Sequence, residues 1–282
     1  MSSSTMTTYE QFAKFSNDSA GLERIFRLLQ SWVQILRAYS STFHTLGRSG
    51  HLLWGAGTWS AFPTNSTLLA LQQRLDAARR YVRVFRFLSA FQHAQRALTH
   101  HEHIAVPHRP NHPATTPNGD GKAEGSPSTS SSLAQPRART PEEWLDILGR
   151  MFNGMYLLTE TSTIIDYMQI DGLQVWGADR YLAVNVEAQR FWFLTLLCGV
   201  LSGLLKIWRL LAANEKDASR GRSETLANLI KGVVTNAADI VLPGVIVGWL
   251  DVSPGVVALV MCATTLSTSL DIWERCGRDV SG

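Results

Sequence analysis

The sequence has few cysteines and none of the common catalytic motifs. Its three cysteines, Cys198, Cys262 and Cys276, lack metal-ligand spacing, and their small, odd number predicts reduced thiols in a protein that faces the cytosol. We find no Gly-rich phosphate loop, nucleophile elbow, paired-acid motif or metal-binding set. We therefore expect a protein that is not an enzyme and that needs no cofactor or metal.

Strong net charge is also absent. The formal charge of +3 and the pI of about 8.9 are only mildly basic, so charge gives no reason to expect a nucleic-acid partner. The first ten residues, MSSSTMTTYE, lack an apolar core, and we expect no secretory signal. What the chain does have is a local concentration of arginine and, towards its end, long uncharged stretches.

The arginines concentrate in Leu68–Leu98, which contains no Gly or Pro and predicts one long helix. Its six arginines stand against a single acid. Two interpretations are open. The helix could lie in a membrane interface, with the arginines on anionic headgroups and the apolar face in the acyl region. Alternatively, the apolar face could pack in a helical bundle while the arginines face solvent. The membrane interpretation assigns lipid binding to Arg79, Arg80, Val82, Arg83, Phe85, Arg86 and Leu88.

A second basic amphipathic helix is predicted at 21–39, where apolar residues recur at i, i+3, i+4 and i+7. Here we favour packing in a bundle or a self-association seam. Together the two helices define an N-terminal amphipathic region, residues 1–100.

Residues 101–140 differ abruptly in composition. Seven of the ten prolines fall between Pro107 and Pro141, and Ser, Thr, Gly and Asn fill much of the rest. Such a segment buries too little to offset its ordering entropy, and we predict a disordered linker. The histidines at its start lack the spacing of a metal site.

Residues 141–282 form the third region, helical and increasingly apolar. Thr140-Pro141-Glu142-Glu143 predicts a capped helix start. Phe191–Leu205 is uncharged but short for a membrane span, and Val252–Leu270 is uncharged over 19 residues. Prolines and glycines between 240 and 255 favour a membrane hairpin or a kinked span. Two small-residue pairs predict close helix approach and self-association, at Gly199 and Gly203 and at Gly244 and Gly248. The fold class we expect is an all-α, membrane-associated protein with amphipathic N-terminal helices and hydrophobic C-terminal helices or a hairpin.

In order along the chain, these features resemble the peroxin-11 family of peroxisomal membrane-elongation proteins. The resemblance covers most of the chain except the linker, which is longer than expected. Glu160 stands where the family usually has Asp. The matching segments are Arg79-Arg80 with Val82–Leu88, Gly154–Leu158, Ile164–Asp166, Arg190–Trp192, Asp239–Pro243, Ser253–Leu259 and Trp273.

The resemblance implies a protein of the peroxisomal membrane with both termini facing the cytosol. It would bind anionic lipid, insert its arginine-rich helix, elongate the membrane, self-associate and promote proliferation and fission. The implied partners are a dynamin-related GTPase and its tail-anchored adaptor. A channel for small metabolites is the alternative. The apolar spans carry mainly hydroxyls and glycine, whereas pores need polar or charged residues within their spans, and this favours the membrane-shaping role.

Overall fold

The computed structural model describes residues 3–42, 64–99, 139–168, 170, 172–212 and 219–281, and within these ranges all regular structure is helical. This confirms the predicted all-α class. The predicted linker at 101–140 lies almost entirely outside the described residues. The helices are α1 (Ser3–Asn17), α2 (Ser19–Ala38), α3 (Asn65–Arg83), α4 (Arg86–Thr99), α5 (Pro141–Ser162), α6 (Ile164–Tyr167), α7 (Gly177–Ala212), α8 (Ser219–Asp239), α9 (Val241–Val247) and α10 (Pro254–Ser281).

The arginine-rich segment is two helices, so the prediction of one continuous helix over Leu68–Leu98 is wrong. The chain turns at Val84 and Phe85, between α3 and α4. The Thr161 hydroxyl of α5 donates to the carbonyl oxygen of Val84 at 3.0 Å. A side chain that takes a backbone carbonyl in this way interrupts the helical ladder. The break therefore comes from a contact with a distant helix, which the local sequence does not reveal.

The first long helices form an antiparallel pair. Arg37 of α2 donates to Gln72 near the start of α3 at 3.0 Å. Nearer the start of α2, Arg79 donates to Gln30 at 2.5 Å. The chain then returns through α5, which lies antiparallel to α4. At the start of α5, the Glu143 carboxylate accepts the backbone N–H of Thr140 at 3.0 Å, as the capping sequence predicts.

The same antiparallel pattern continues to the C-terminus. Tyr156 of α5 stacks on Trp192 of α7, with ring centroids 5.6 Å apart. Helix α7 packs on α8, and α8 in turn contacts α10 through Thr264, whose hydroxyl donates to Asp239 at 2.6 Å. Lys231 of α8 and Asp271 of α10 form a further contact between these two helices, at 2.5 Å.

The last long helix packs back on the first. Arg275 of α10 pairs with Asp18 before α2, and a side chain at Gly255 would meet the Tyr39 ring. These contacts lie at opposite ends of α2, so α10 runs antiparallel along its length. Helix α1 joins the end of α10, where Lys14 and Asp279 are 3.2 Å apart. The long helices thus form a closed circuit, in which the N-terminal and C-terminal regions contact each other directly.

Three stretches of helix are long and apolar enough to cross a membrane: Asp179–Ala212, Arg222–Val247 and Pro254–Asp279. The first is longer than the sequence suggests, because α7 extends the uncharged run in both directions. The last two are joined by a tight turn at Gly248, whose φ of 82° is in the left-handed region that favours glycine. Of the two predicted arrangements, the structure has the hairpin.

Candidate functional site: a buried arginine cluster under an apolar surface

The arginines of α3 lie inside the circuit of helices. Arg79, Arg80 and Arg83 are 7%, 8% and 8% exposed. Both interpretations of the sequence, which placed these arginines on headgroups or in solvent, are therefore wrong about their position. A buried guanidinium is tolerated only when it has partners that replace water.

Acids from α3 itself and from two other helices supply those partners. Arg80 pairs with Asp76 of α3 at 2.9 Å. Arg83 pairs with Glu160 of α5 at 2.8 Å and lies 3.8 Å from Glu23 of α2. The Tyr156 hydroxyl accepts a hydrogen bond from Arg83 at 3.2 Å and donates one to Glu160 at 3.1 Å. Three helices are therefore joined by a single buried network of charged groups.

Glu23 interacts with several arginines at once. Its carboxylate lies 3.6 Å from Arg79 and 3.3 Å from Arg86. Burial by itself would raise the pKa of Glu23, but the nearby guanidinium groups, led by Arg83, outweigh it and lower the pKa to about 2. Glu23 is therefore charged at neutral pH, yet one carboxylate cannot balance every arginine around it.

A second buried pair connects α2 with the C-terminal hairpin. Arg27 donates to Asp239 at 2.7 Å, and their side chains are 5% and 10% exposed. The Thr264 hydroxyl donates to the same carboxylate oxygen at 2.6 Å. Asp239 thus joins helices at both ends of the chain, and the polar interior continues from α3 to α10.

The outer surface is apolar at positions that the sequence predicts either to pack in a bundle or to bind lipid. Trp32 of α2 is 54% exposed, Phe85 is 74% exposed and Leu88 of α4 is 58% exposed. Trp144 and Leu158 of α5 are also exposed. Soluble proteins rarely expose a continuous apolar surface of this kind, whereas acyl chains are a suitable environment for it.

The predicted lipid-binding residues therefore divide into two groups. Phe85 and Leu88 lie on the exposed apolar surface, Val82 is half-buried, and the Arg86 side chain is 38% exposed. The remaining three, Arg79, Arg80 and Arg83, are buried.

The predicted self-association glycines make contacts within the chain. A Cβ at Gly203 would lie 2.4 Å from the Val233 side chain of α8, and one at Gly199 would lie 2.7 Å from Asn236. Close packing of α7 on α8 thus accounts for the first pair, in place of the predicted seam between copies. A Cβ at Gly244 would meet Leu250 of the same hairpin, and Gly248 ends α9. Self-association itself stays a prediction, without these glycines as its basis.

Two cavities adjoin the arginine cluster. One, of about 310 Å³, lies beside Glu23 and Arg24, and the other, of about 360 Å³, extends towards α9 and α10. Their linings share four side chains, so these side chains form the wall between the cavities. The shared residues are Arg79, Arg83, Tyr156 and Trp192.

The sequence reasoning missed the acids that pair with the arginines. Each is an isolated acid in its part of the helix: Glu23 and Asp239 stand among apolar or basic residues, and Glu160 stands among threonines and a serine. An isolated acid in such a segment needs a partner if it is buried, and this was the available signal. In the described ranges, no cluster of His, Cys, Asp or Glu could hold a metal ion. The histidines between His100 and His112 lie outside the described ranges.

The comparisons with known proteins give one match. The model of the family described as Peroxisomal biogenesis factor 11 (PEX11) matches residues 130–273, about half of the chain. No curated protein and no solved structure matches significantly. The matched range contains the α5 acid Glu160 and the hairpin acid Asp239, whereas α2 and α3 lie before it.

Proposed function

The chain belongs to the peroxisomal biogenesis factor 11 family, and from that premise we propose that it elongates the peroxisomal membrane by inserting its N-terminal helices. Membership makes it a peroxisomal membrane protein with a part in peroxisome proliferation. The family is one of biogenesis factors and is not known as an enzyme family, and we propose no catalytic step.

The observation that supports insertion is the inverted arrangement of α2, α3 and α4. Interior charges such as Arg27 and Arg83 are paired with acids, while apolar residues such as Trp32, Phe85 and Leu88 point outwards. Lipid then meets a surface with few unpaired charges to desolvate, and burial of apolar area stabilises the inserted state. Helices inserted on one side of a bilayer expand that leaflet and favour curvature.

The arginines have a different role in this proposal from the one that the sequence suggested. Arg83 and its neighbours hold α3 against α2 and α5, and so fix which face of the segment is directed outwards. Arg86, which is partly exposed, remains available for anionic headgroups.

Insertion can be tested with liposomes of anionic lipid and the full-length protein. Phe85→Asp with Leu88→Asp should strongly reduce both binding and tubulation, because two charges would have to enter the acyl region. The matched control is Gln92→Asp with Gln95→Asp, which adds the same charge at exposed polar positions of α4. An equal loss in the control would mean that net charge, rather than insertion of this face, controls binding.

Membrane orientation and fission partners extend the proposal. Helix α1 lies beside the end of α10, which supports the placement of both termini on the same side of the membrane. We propose that this side is the cytosol. There the protein would assemble with further copies and with a dynamin-related GTPase and its tail-anchored adaptor. Protease added to intact peroxisomes should remove epitope tags from both ends. Protection of either tag would contradict the orientation.

The second candidate function is a channel for small metabolites, and the adjoining polar cavities favour it. They are lined by arginines, glutamines and asparagines inside an apolar outer surface, as a pore interior requires. Protein reconstituted in planar bilayers should then conduct anions better than cations. Trp192→Ala should raise the conductance by opening a passage through the wall that the two cavities share. Trp208→Ala, at an exposed position of α7, is the control. Bilayers without conductance would remove this candidate.

A further inference from the structure

The smaller cavity is more basic than its ion pairs can balance. It is lined by six arginines and a single acid, Glu23. Two of the arginines have acids beyond the lining, because Arg27 pairs with Asp239 and Arg83 with Glu160. Glu23 forms ion pairs with both Arg79 and Arg86, so its one negative charge faces two positive charges.

Two further arginines of this lining have no such partner. Within the described part of the chain, Arg24 of α2 and Arg150 of α5 form no ion pair with a carboxylate. The Nε atom of Arg24 is buried and lacks a hydrogen-bond acceptor. The Nε atoms of Arg79 and Arg83, in side chains that are each 9% exposed, also lack one. The cavity therefore has an excess of positive charge, and several Nε donors in its arginine side chains lack acceptors.

We propose that this cavity binds a phosphate group. A phosphate carries the negative charge that the cavity lacks and offers several acceptor oxygens to guanidinium donors, which bind such groups in a bidentate manner. The volume of about 310 Å³ would hold about ten water molecules at roughly 30 Å³ each, which is ample for a phosphate and part of the group that carries it.

The cavity also has an opening through which a phosphate can enter. Arg150, His93 and Ser89 of its lining are exposed, whereas Arg79 and Arg83 lie at its inner end. His93 has one ring nitrogen 2.6 Å from the Ser89 carbonyl oxygen, which leaves its other nitrogen for a ligand. A phosphate would thus bind the guanidinium groups of Arg24 and Arg150 near the opening, with the positive charges of Arg79 and Arg83 at the inner end of the cavity.

The phosphate could belong to a soluble compound or to a lipid headgroup, and the cavity suits either. This inference goes beyond both proposed functions and does not depend on which one holds. A soluble ligand would be bound from the cytosol, and a lipid ligand would bring its headgroup to the opening while its chains stay in the membrane.

Binding can be measured by calorimetry on the full-length protein in detergent micelles. The probes are inorganic pyrophosphate and, separately, nanodiscs that contain phosphatidic acid. Arg24→Gln with Arg150→Gln should weaken binding by at least tenfold, because each arginine contributes a charge-assisted hydrogen bond. Within the described residues neither arginine is in ion-pair contact with a carboxylate, and Arg24 acts on Glu23 only through the positive charge that helps to lower the pKa of that acid. The control is Arg96→Gln with Arg180→Gln, which removes the same charge at exposed positions outside the lining.

A second variant keeps the test independent of arginine removal. Asn153→Asp adds a negative charge to the lining with almost no change in volume, and it should also weaken binding at least tenfold. Pyrophosphate binding that depends on the cavity residues assigns a soluble phosphate compound, and dependence seen only with phosphatidic acid assigns a headgroup. If neither probe binds, or if the control loses as much affinity as the cavity variants, the proposal is wrong.

Discussion

Helix α3 is rich in arginine and helix α10 is largely uncharged, yet the two helices have similar surroundings in the structure. Both expose apolar side chains, such as Leu71 and Leu266, at 47% and 48%. Inwards they differ, because α3 carries guanidinium groups whereas α10 carries hydroxyls such as Thr265. The Thr265 hydroxyl donates to its own helix, at the Met261 carbonyl oxygen, and needs no partner elsewhere. Arg79 and Arg83 of α3, by contrast, pair with acids of α2 and α5.

Because of this difference, the average hydropathy of a helix does not reveal which side chains a membrane would contact. A hydropathy scan finds α10 because both its outer face and its interior are low in charge. It does not find α3, because the buried arginines, together with exposed polar residues such as Gln73 and Arg74, lower the average. If the polar interior holds the N-terminal helices in place, changes there should cost far more stability than changes on the apolar exterior.

The largest effect should come from removing one member of the buried pair. Arg83→Met leaves Glu160 without its cation and should lower the free energy of unfolding by about 3–5 kcal/mol. Denaturant titration in detergent would measure it. Arg190→Met breaks an exposed pair with Glu187 and should cost under about 1 kcal/mol. Equal losses would show that the buried pair contributes no more to the free energy of unfolding than the exposed pair does.

The next effect is a dependence of stability on pH. The folded pKa of Glu23, about 2, is below its ordinary value of 4.5, so the carboxylate stabilises the fold above pH 4.5. This contribution, about 3 kcal/mol at 1.36 kcal/mol per pKa unit, is lost as pH falls from about 4.5 to about 2. Thermal unfolding across this pH range should show the loss, and Glu23→Gln should reduce it. An unchanged slope in that variant would exclude Glu23 as the source.

A smaller effect is expected where two helices approach most closely. Gly203→Ala would place a Cβ 2.4 Å from the Val233 side chain, and this overpacking should cost about 1–3 kcal/mol. Gly232→Ala is the matched control in α8, since open space surrounds that position, and it should stabilise by up to about 1 kcal/mol. Cross-linking between copies should stay unchanged in both variants. A loss of cross-links with unaltered stability would return Gly203 to a seam between copies.

The smallest effect concerns the apolar exterior. Phe85→Ser should change the free energy of unfolding in detergent by less than about 0.5 kcal/mol, because this side chain is 74% exposed. The same titration as for Arg83→Met would measure it. A cost comparable with that of Arg83→Met would mean that Phe85 is covered by another part of the chain.

The helices were largely predictable, because their signals are local. Residues 21–39 predict α2 to within about two residues at either end, and Glu143 marks the start of α5. The orientation of the helices was not predictable from periodicity. A face that contains Glu23, Arg27 and Gln30 is polar in any sequence plot, and only the positions of Glu160 and Asp239 in three dimensions decide that it is directed inwards. The break at Val84 depends on Thr161, 77 residues away, for the same reason.

Because Arg27 and Asp239 lie 212 residues apart in the sequence, their contact can form only late in the synthesis of the chain. At about 5–20 residues per second, a ribosome completes Asp239 roughly 10–40 s after Arg27. During that interval Arg27 has no carboxylate from the C-terminal hairpin, while the outer face of α2 is already apolar. A nascent chain in this state needs a holding factor or an early membrane contact to avoid aggregation. The final closure of the circuit therefore waits until α10 has been synthesised and can pack against α2.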